Sequence, residues 1–140
     1  MIRFTLLLLL CLACITGCSD PARPHLEELL GEYGRVVGTP FPELELYEGD
    51  ERKVRYLHAH SAATHQMLKN YLSVDRPITA ELKQFLIDWQ TVSKSSMDLH
   101  EKMIQDGRYA YNDDEKEIAE RLTKGEALAG FELMDHFEGY

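Results

Sequence analysis

The sequence predicts an all-α protein: a small up-and-down helical bundle of three long helices plus a weaker N-terminal helix. Apolar residues recur three and four positions apart in four segments, as they do along one face of a helix. The two connections on either side of the third segment are short, which favours antiparallel neighbours. A chain of 140 residues is long enough for one compact domain with a modest core.

The first helix is predicted from an apolar stripe that ends at a glycine suited to a helix C-terminus, namely Leu26, Leu29, Leu30, Tyr33, Val37 and Gly38. Gly31 and Gly34 inside this stripe each cost about 1 kcal/mol of helix stability relative to Ala, so this is the weakest of the four. The two prolines in residues 39–42 must end it. Residues 43–48 alternate acidic and apolar side chains, and we interpret them as an extended loop because no partner strand is present.

Three longer helices follow, predicted over roughly 50–72, 79–107 and from 113 to the chain end. Thr79 is a candidate N-terminal cap for the third helix, and Gly107 ends it. Asn112, with Glu115 three residues later, has the pattern of a capping box for the last. The stripes are Val54, Leu57, Ser61, His65, Leu68 and Leu72; then Leu82, Phe85, Leu86, Trp89, Ser93, Ser96, His100, Met103 and Ile104; then Ile118, Leu122, Ala129, Leu133 and Phe137. Trp89 is predicted to anchor the core.

The N-terminus has the organisation of an export signal. One basic residue, Arg3, precedes an apolar run of about 11 residues, too short for the roughly 20 that cross a bilayer. The run leads into Ile15-Thr16-Gly17-Cys18. This tetrapeptide resembles a lipobox, the site at which bacterial lipoprotein precursors are lipidated and cut. From Ser19 onward the sequence resembles no family.

The resemblance to lipoprotein precursors implies a removed signal peptide, residues 1–17, and a lipidated tether, residues 18–25, before one helical domain, residues 26–140. It implies diacylglycerol on Cys18 and a further acyl chain on its amino group, enough for stable anchoring. Ser19 and Asp20 after the cysteine resemble the pattern that Gram-negative bacteria send to the periplasmic face of the outer membrane. Cys11 and Cys14 lie in the leader, so the mature domain would hold no free thiol or disulfide.

The charge of the chain argues against two kinds of partner. Its net charge is −9, and removal of Arg3 with the leader would make it one unit more negative. Such a surface is repelled by nucleic acid and by anionic headgroups. We therefore expect contact with the membrane through the lipid on Cys18 alone, and no nucleic acid partner.

Few residues suggest chemistry. Walker loops, dinucleotide-binding glycine patterns, Gly-x-Ser-x-Gly elbows and cysteine-based zinc patterns are absent from the sequence. A turn centred near residue 75 would bring His65 level with about residue 86, and His136 would fall in the same layer, where two imidazoles can bind zinc, copper or haem. His100 would fall level with about residue 51, too far to join His58. We favour hydrogen-bonded core histidines, with a metal site or a pH-responsive contact as alternatives.

Two further segments allow two interpretations each. The small residues Ala59, Ser61, Ala62 and Ala63 permit close approach of helices or line a ligand cavity. The acidic residues 113–120 form a capped, solvated helix start or a docking surface for a basic partner. In both cases we favour the structural interpretation.

The function predicted from these observations is that of a non-catalytic, membrane-anchored envelope lipoprotein. It would bind another protein as an accessory, inhibitor or immunity-type factor, without a cofactor. The alternative is a periplasmic helical bundle that binds a small ligand or a metal, with His65 and His136 as the candidate metal ligands. An enzyme is not expected, and the sequence carries no recognition motif that names the partner.

Overall fold

The computed structural model describes residues 20–38 and 49–138. They form four helices: α1, Arg23–Val37; α2, Glu51–Leu72; α3, Ala80–Gln105; and α4, Asp113–Glu138. The described part of the chain contains no strand, so the predicted all-α bundle is confirmed. The lipobox and the loop predicted for residues 43–48 lie outside the described residues.

The helix ends follow from local chemistry. The Asp50 side chain accepts a hydrogen bond from Arg52 N at 2.8 Å, and Thr79 Oγ1 accepts one from Leu82 N at 3.1 Å. These bonds satisfy amides that have no partner inside α2 and α3. The cap predicted at Thr79 is confirmed. Helix α1 begins at Arg23, within the segment predicted as tether, because Pro24 is tolerated in the first turn of a helix.

The helices pack in a ring in which each has two neighbours. Helix α3 lies alongside α2 and α4, and α1 lies alongside α2 and α4 on the opposite side. Among the described residues, α2 and α4 are diagonal and their backbones do not approach each other. The gap between α2 and α4 on the side opposite α3 is therefore filled by α1.

The largest hydrophobic cluster lies at the end of the bundle where α1 packs. It consists of Leu26, Leu29, Met67, Leu68, Tyr71, Leu82, Leu86, Trp89, Ala129 and Leu133. Trp89 is 2% exposed, and the ring of Tyr33 meets it edge to face with centroids 5.1 Å apart. The prediction that Trp89 anchors the core is confirmed.

The register between α2 and α3 differs from the predicted one. The hydroxyls of Ser61 and Ser96 lie 2.8 Å apart, whereas a turn centred near residue 75 would place residue 96 level with about residue 55. The connecting loop continues beyond the end of α2 before α3 starts at its Thr79 cap. Each residue of α2 therefore lies opposite a residue of α3 about six positions later than predicted. As a result His58 is close enough to His100 to influence its pKa, and the predicted separation of these two histidines was wrong.

Helix α1 is too short to cover the whole bundle. Its 15 residues extend about 22 Å, whereas the 22 residues of α2 extend about 33 Å at 1.5 Å per residue. Val36, in its last turn, lines a small depression together with Tyr56 and His60 in the first half of α2. Among the residues that the structure describes, one end of the bundle therefore has four helices and the other has three.

Candidate functional site

A groove of about 600 Å³ lies between α2 and α4 where α1 ends. Leu57 and Ala119 contribute apolar floor, and the ring of Tyr111 closes one end. The described residues that line the groove are Lys53, Leu57, Tyr111, Lys116, Ala119, Glu120, Thr123, Lys124 and Ala127. The groove lies in line with α1. The last turn of α1 lies beside Tyr56 and His60 of α2, and the groove extends from Leu57 toward the N-terminal end of α2 at Lys53.

The rim of this groove is basic in an otherwise acidic protein. Lys53 stands on the α2 side, and Lys116 and Lys124 stand on the α4 side, with Glu120 as the one acidic residue among the described residues of the lining. Lys116 Nζ lies 3.6 Å from Asp113 Oδ1. Because the whole chain has a net charge of −9, three lysines around an apolar floor give this surface a local charge opposite to that of the protein.

Tyr111 is held at the end of the groove by His100. The imidazole of His100 is buried, with Nδ1 2.7 Å from the carbonyl oxygen of Ser96 and Nε2 2.7 Å from the hydroxyl of Tyr111. A carbonyl can only accept, so Nδ1–H donates to Ser96 and Nε2 accepts from the Tyr111 hydroxyl. Burial, followed by the nearby His58, lowers the pKa of His100, although the Ser96 carbonyl opposes this. A neutral His100 fits both bonds.

A polar layer crosses the interior beside the groove. Helix α2 contributes Ser61 and Thr64, α3 contributes Ser93 and Ser96, and α4 contributes Glu126. All four hydroxyl residues are at most 3% exposed. Within the described chain, four buried polar atoms have no hydrogen-bond partner: Thr64 Oγ1, Trp89 Nε1, Ser93 Oγ and Glu126 Oε1. Each such atom carries a desolvation cost that packing elsewhere must offset.

Glu126 is the titratable member of this layer. Burial raises the pKa of its carboxyl group to about 7, and the nearby hydroxyls of Ser61 and Ser93 lower it in part. Oε1 nevertheless lacks a hydrogen bond of ordinary geometry. Burial, and then the charge of Glu126, also raises the pKa of Tyr33. A carboxyl group of this kind changes charge near neutral pH, so the layer links the stability of the bundle to pH.

Sequence reasoning missed Glu126, although a signal was present. The predicted α4 stripe steps from Leu122 to Ala129, and position 126 lies four residues after the first and three before the second. An acidic residue at a core position of a helical stripe is uncommon. Ile118, which was included in the stripe, is 41% exposed, whereas Ala119 is buried, so this end of the stripe was displaced by one residue.

The histidines predicted to share a layer do not share one. His65 Nδ1 lies 3.3 Å from the carbonyl oxygen of Gln90, while the ring of His136 packs on Phe85 with centroids 5.2 Å apart. Their contacts on α3 are five residues, or about 7.5 Å, apart. In the described ranges, no group of three or more His, Cys, Asp or Glu side chains is arranged to hold a metal.

The acidic start of α4 is only partly a solvated surface. Asp113 and Asp114 are exposed, but Glu115 is 8% exposed. Glu115 pairs with Arg108 and completes the capping box predicted with Asn112. The structural interpretation of this acidic run is therefore favoured, because Glu115 closes the loop between α3 and α4.

The small residues of α2 divide between two roles. Ser61 allows close approach to α3, as predicted, since its hydroxyl contacts that of Ser96. Ala59 and Ala63 line a depression of about 140 Å³ with Val36, Tyr56 and His60. This volume is below the roughly 300 Å³ at which ligand pockets begin, so the groove between α2 and α4 is the better candidate for binding.

Comparison of the chain with protein-family models, curated proteins and solved structures gives no significant match. None of the described helices combines the length and apolar character needed to span a bilayer.

Proposed function

We propose that this chain is a non-catalytic bacterial envelope lipoprotein whose helical bundle binds a partner protein. The lipobox-like Ile15-Thr16-Gly17-Cys18 supports anchoring by lipid on Cys18. Ser19 and Asp20 support an address at the periplasmic face of the outer membrane. The partner is engaged by the domain that follows the anchor.

The observation that carries the binding proposal is the groove between α2 and α4. Concave clefts of several hundred Å³ with mostly apolar walls are the usual places where proteins bind other molecules. Here the surface is a volume of about 600 Å³ with an apolar floor and a basic rim. It lies where the described part of the bundle has three helices instead of four, so it is a feature of the fold and not of one side chain.

Site-specific photocross-linking in cells tests this proposal. A benzophenone amino acid at Leu57 or Thr123, both in the groove lining, should give one defined adduct with another protein, identifiable by mass spectrometry. The matched control is Thr91, which is exposed on α3 and should give no such adduct. The absence of an adduct from both groove positions, or the same adducts from Thr91, would contradict the proposal.

The volume of the groove also favours a second candidate, a small-ligand carrier. Ligand pockets occupy about 300 to 1,000 Å³ and have mostly apolar walls with a few polar groups, a description that the groove fits. Native mass spectrometry of the protein purified from cells separates the two candidates. A stoichiometric small molecule that is lost when Ala119 is replaced by Trp would favour the ligand carrier.

A further inference from the structure

Building on the proposed function, we propose that the groove between α2 and α4 seats one amphipathic helix of the partner, with an apolar face and acidic flanks. The partner helix would complete the four-helix arrangement in the part of the bundle that α1 does not reach. The proposal depends on the shape of the groove and on the sign of its charge, which are independent observations.

The shape matches a helix because α1 already fills the same position further along. Helix α1 lies between α2 and α4, and Val36 in its last turn lines a depression with Tyr56 and His60 of α2. Helix α2 exceeds it by seven residues, or about 11 Å. This length accepts about two turns of a helix in direct continuation of α1. Ala119, Thr123 and Ala127 present short side chains along the α4 wall, so a helix can approach closely.

The charge selects an acidic helix. Lys53 and Lys124 stand on opposite walls of the groove, where they can meet carboxylates on both flanks of a seated helix, as paired charges do beside a coiled-coil seam. The protein as a whole is acidic, with a net charge of −9. An acidic helix is therefore repelled by most of the surface and attracted here, which supplies specificity by rejecting other docking positions.

Two synthetic peptides of about 14 residues, long enough to form a helix in water, provide the probe, and both carry the same leucine face over the two turns that the groove accepts. One carries glutamates on both flanks of that face, and the other carries lysines at the same positions. Their binding to the purified full chain in nanodiscs is followed by fluorescence anisotropy. We expect the glutamate peptide to bind at least about tenfold more tightly than the lysine peptide at low ionic strength.

Charge reversal in the groove supplies the decisive comparison. Lys53→Glu with Lys124→Glu should reverse the preference between the two peptides, and Lys53→Gln with Lys124→Gln should remove most of it. The control is Lys69→Glu with Lys83→Glu, at exposed positions outside the groove, which should leave the preference unchanged. Circular dichroism of each variant verifies that the bundle is folded, and the glutamine pair provides the result if the reversed pair is not.

Several outcomes overturn the inference. Equal binding of the two peptides does so, as does a preference that survives the changes at Lys53 and Lys124. If the glutamate peptide binds only after residues 39–48 are replaced by a Gly-Ser linker of equal length, the groove is occupied by this segment of the chain itself and not by a partner helix. An adduct at Leu57 and Thr123 with no charge preference would retain the proposed function and reject this inference, so the two fail separately.

Discussion

Arg108 binds both carboxylate oxygens of Glu115 through its two terminal nitrogens, at 3.0 and 2.9 Å. The same carboxylate accepts a hydrogen bond from Asn112 N at 3.0 Å, and the Asn112 side chain accepts one from Glu115 N at 2.9 Å. The loop between α3 and α4 is thereby joined to the first turn of α4. The hydrogen bond from Arg108, followed by that from Asn112, lowers the pKa of Glu115 to about 2.

Replacing Glu115 with Gln should lower the free energy of unfolding by about 1 to 2 kcal/mol at pH 7, because the charge-assisted pair with Arg108 is lost. The pKa of Glu115 is lower in the folded state than in the unfolded state. The stability that it contributes is therefore complete above about pH 4.5 and is lost as the pH falls toward 2. Urea unfolding of residues 19–140, followed by circular dichroism, measures the difference. The exposed control Glu117→Gln should match the wild type, and an equal deficit in Glu115→Gln at pH 2.5 and pH 7 would contradict this account.

Replacing Glu126 with Gln should stabilise the bundle at pH 8 and make little difference below about pH 4.5. Burial raises the pKa of Glu126 to about 7, so folding favours its protonated form. That contribution is fully present below the unfolded pKa and is lost as the pH rises through 7. We expect a gain of about 1 to 3 kcal/mol at pH 8. Thermal unfolding at several pH values provides the measurement, with the exposed Glu132→Gln as control, and a gain that does not depend on pH would be evidence against the buried carboxylate.

Gly130→Ala should destabilise the protein, although Ala is the better helix former by about 1 kcal/mol. A Cβ at this position would lie 3.1 Å from Tyr33 Cζ and closer still to the Tyr33 hydroxyl, so the Tyr33 ring would have to shift from its packing on Trp89 and α4. Overpacking of this kind costs about 1 to 3 kcal/mol. Gly31→Ala is the control, since its Cβ would meet no atom within 4 Å. It should raise the melting temperature, and a rise in both variants would show that Tyr33 does not pack closely on α4.

Cys18→Ala should abolish lipidation and leave an uncut precursor in the membrane fraction, because the sulfur of Cys18 is the predicted attachment point. Metabolic labelling with a fatty acid, followed by electrophoresis, measures both effects. Cys14→Ala, inside the predicted leader, is the matched control and should be labelled as well as the wild type. Labelling of Cys18→Ala at the wild-type level would exclude the lipobox interpretation.

The helices could be predicted because their signals are local. The cap at Thr79 and the box formed by Asn112 and Glu115 act through the backbone of neighbouring residues, so the sequence contains the whole cause. The register of α2 against α3 depends instead on the path of the loop between them. That path determines that Ser61 meets Ser96, and no periodicity in the sequence encodes it.

The candidate site was less predictable for a related reason. The groove exists because α2 and α4 are diagonal and α1 ends beside Tyr56, and both facts depend on how the four helices pack together. Its residues, such as Lys53 and Lys124, have the appearance of an ordinary solvated helix face in the sequence. Met67 and Tyr71, which belong to the core, fall off the single stripe predicted for α2, because that helix packs on both α1 and α3.

The contact between Arg23 and Phe137, with the guanidinium carbon 5.4 Å from the ring centroid, sets the start of α1 beside the end of α4. The Tyr71 hydroxyl, which donates to the His25 carbonyl at 3.0 Å, sets it beside the end of α2 as well. Cys18 precedes Arg23 by five residues, which span at most about 17 Å, while Lys53 lies about 27 Å back along α2 from Tyr71. In a domain held by lipid on Cys18, the four-helix end of the bundle would therefore face the membrane, and the lysine-rimmed groove at the other end would face the aqueous compartment. With the proposed address at the periplasmic face of the outer membrane, a partner anchored in the opposite membrane or diffusing between the two would reach the groove more readily than a neighbour lying flat on the same bilayer.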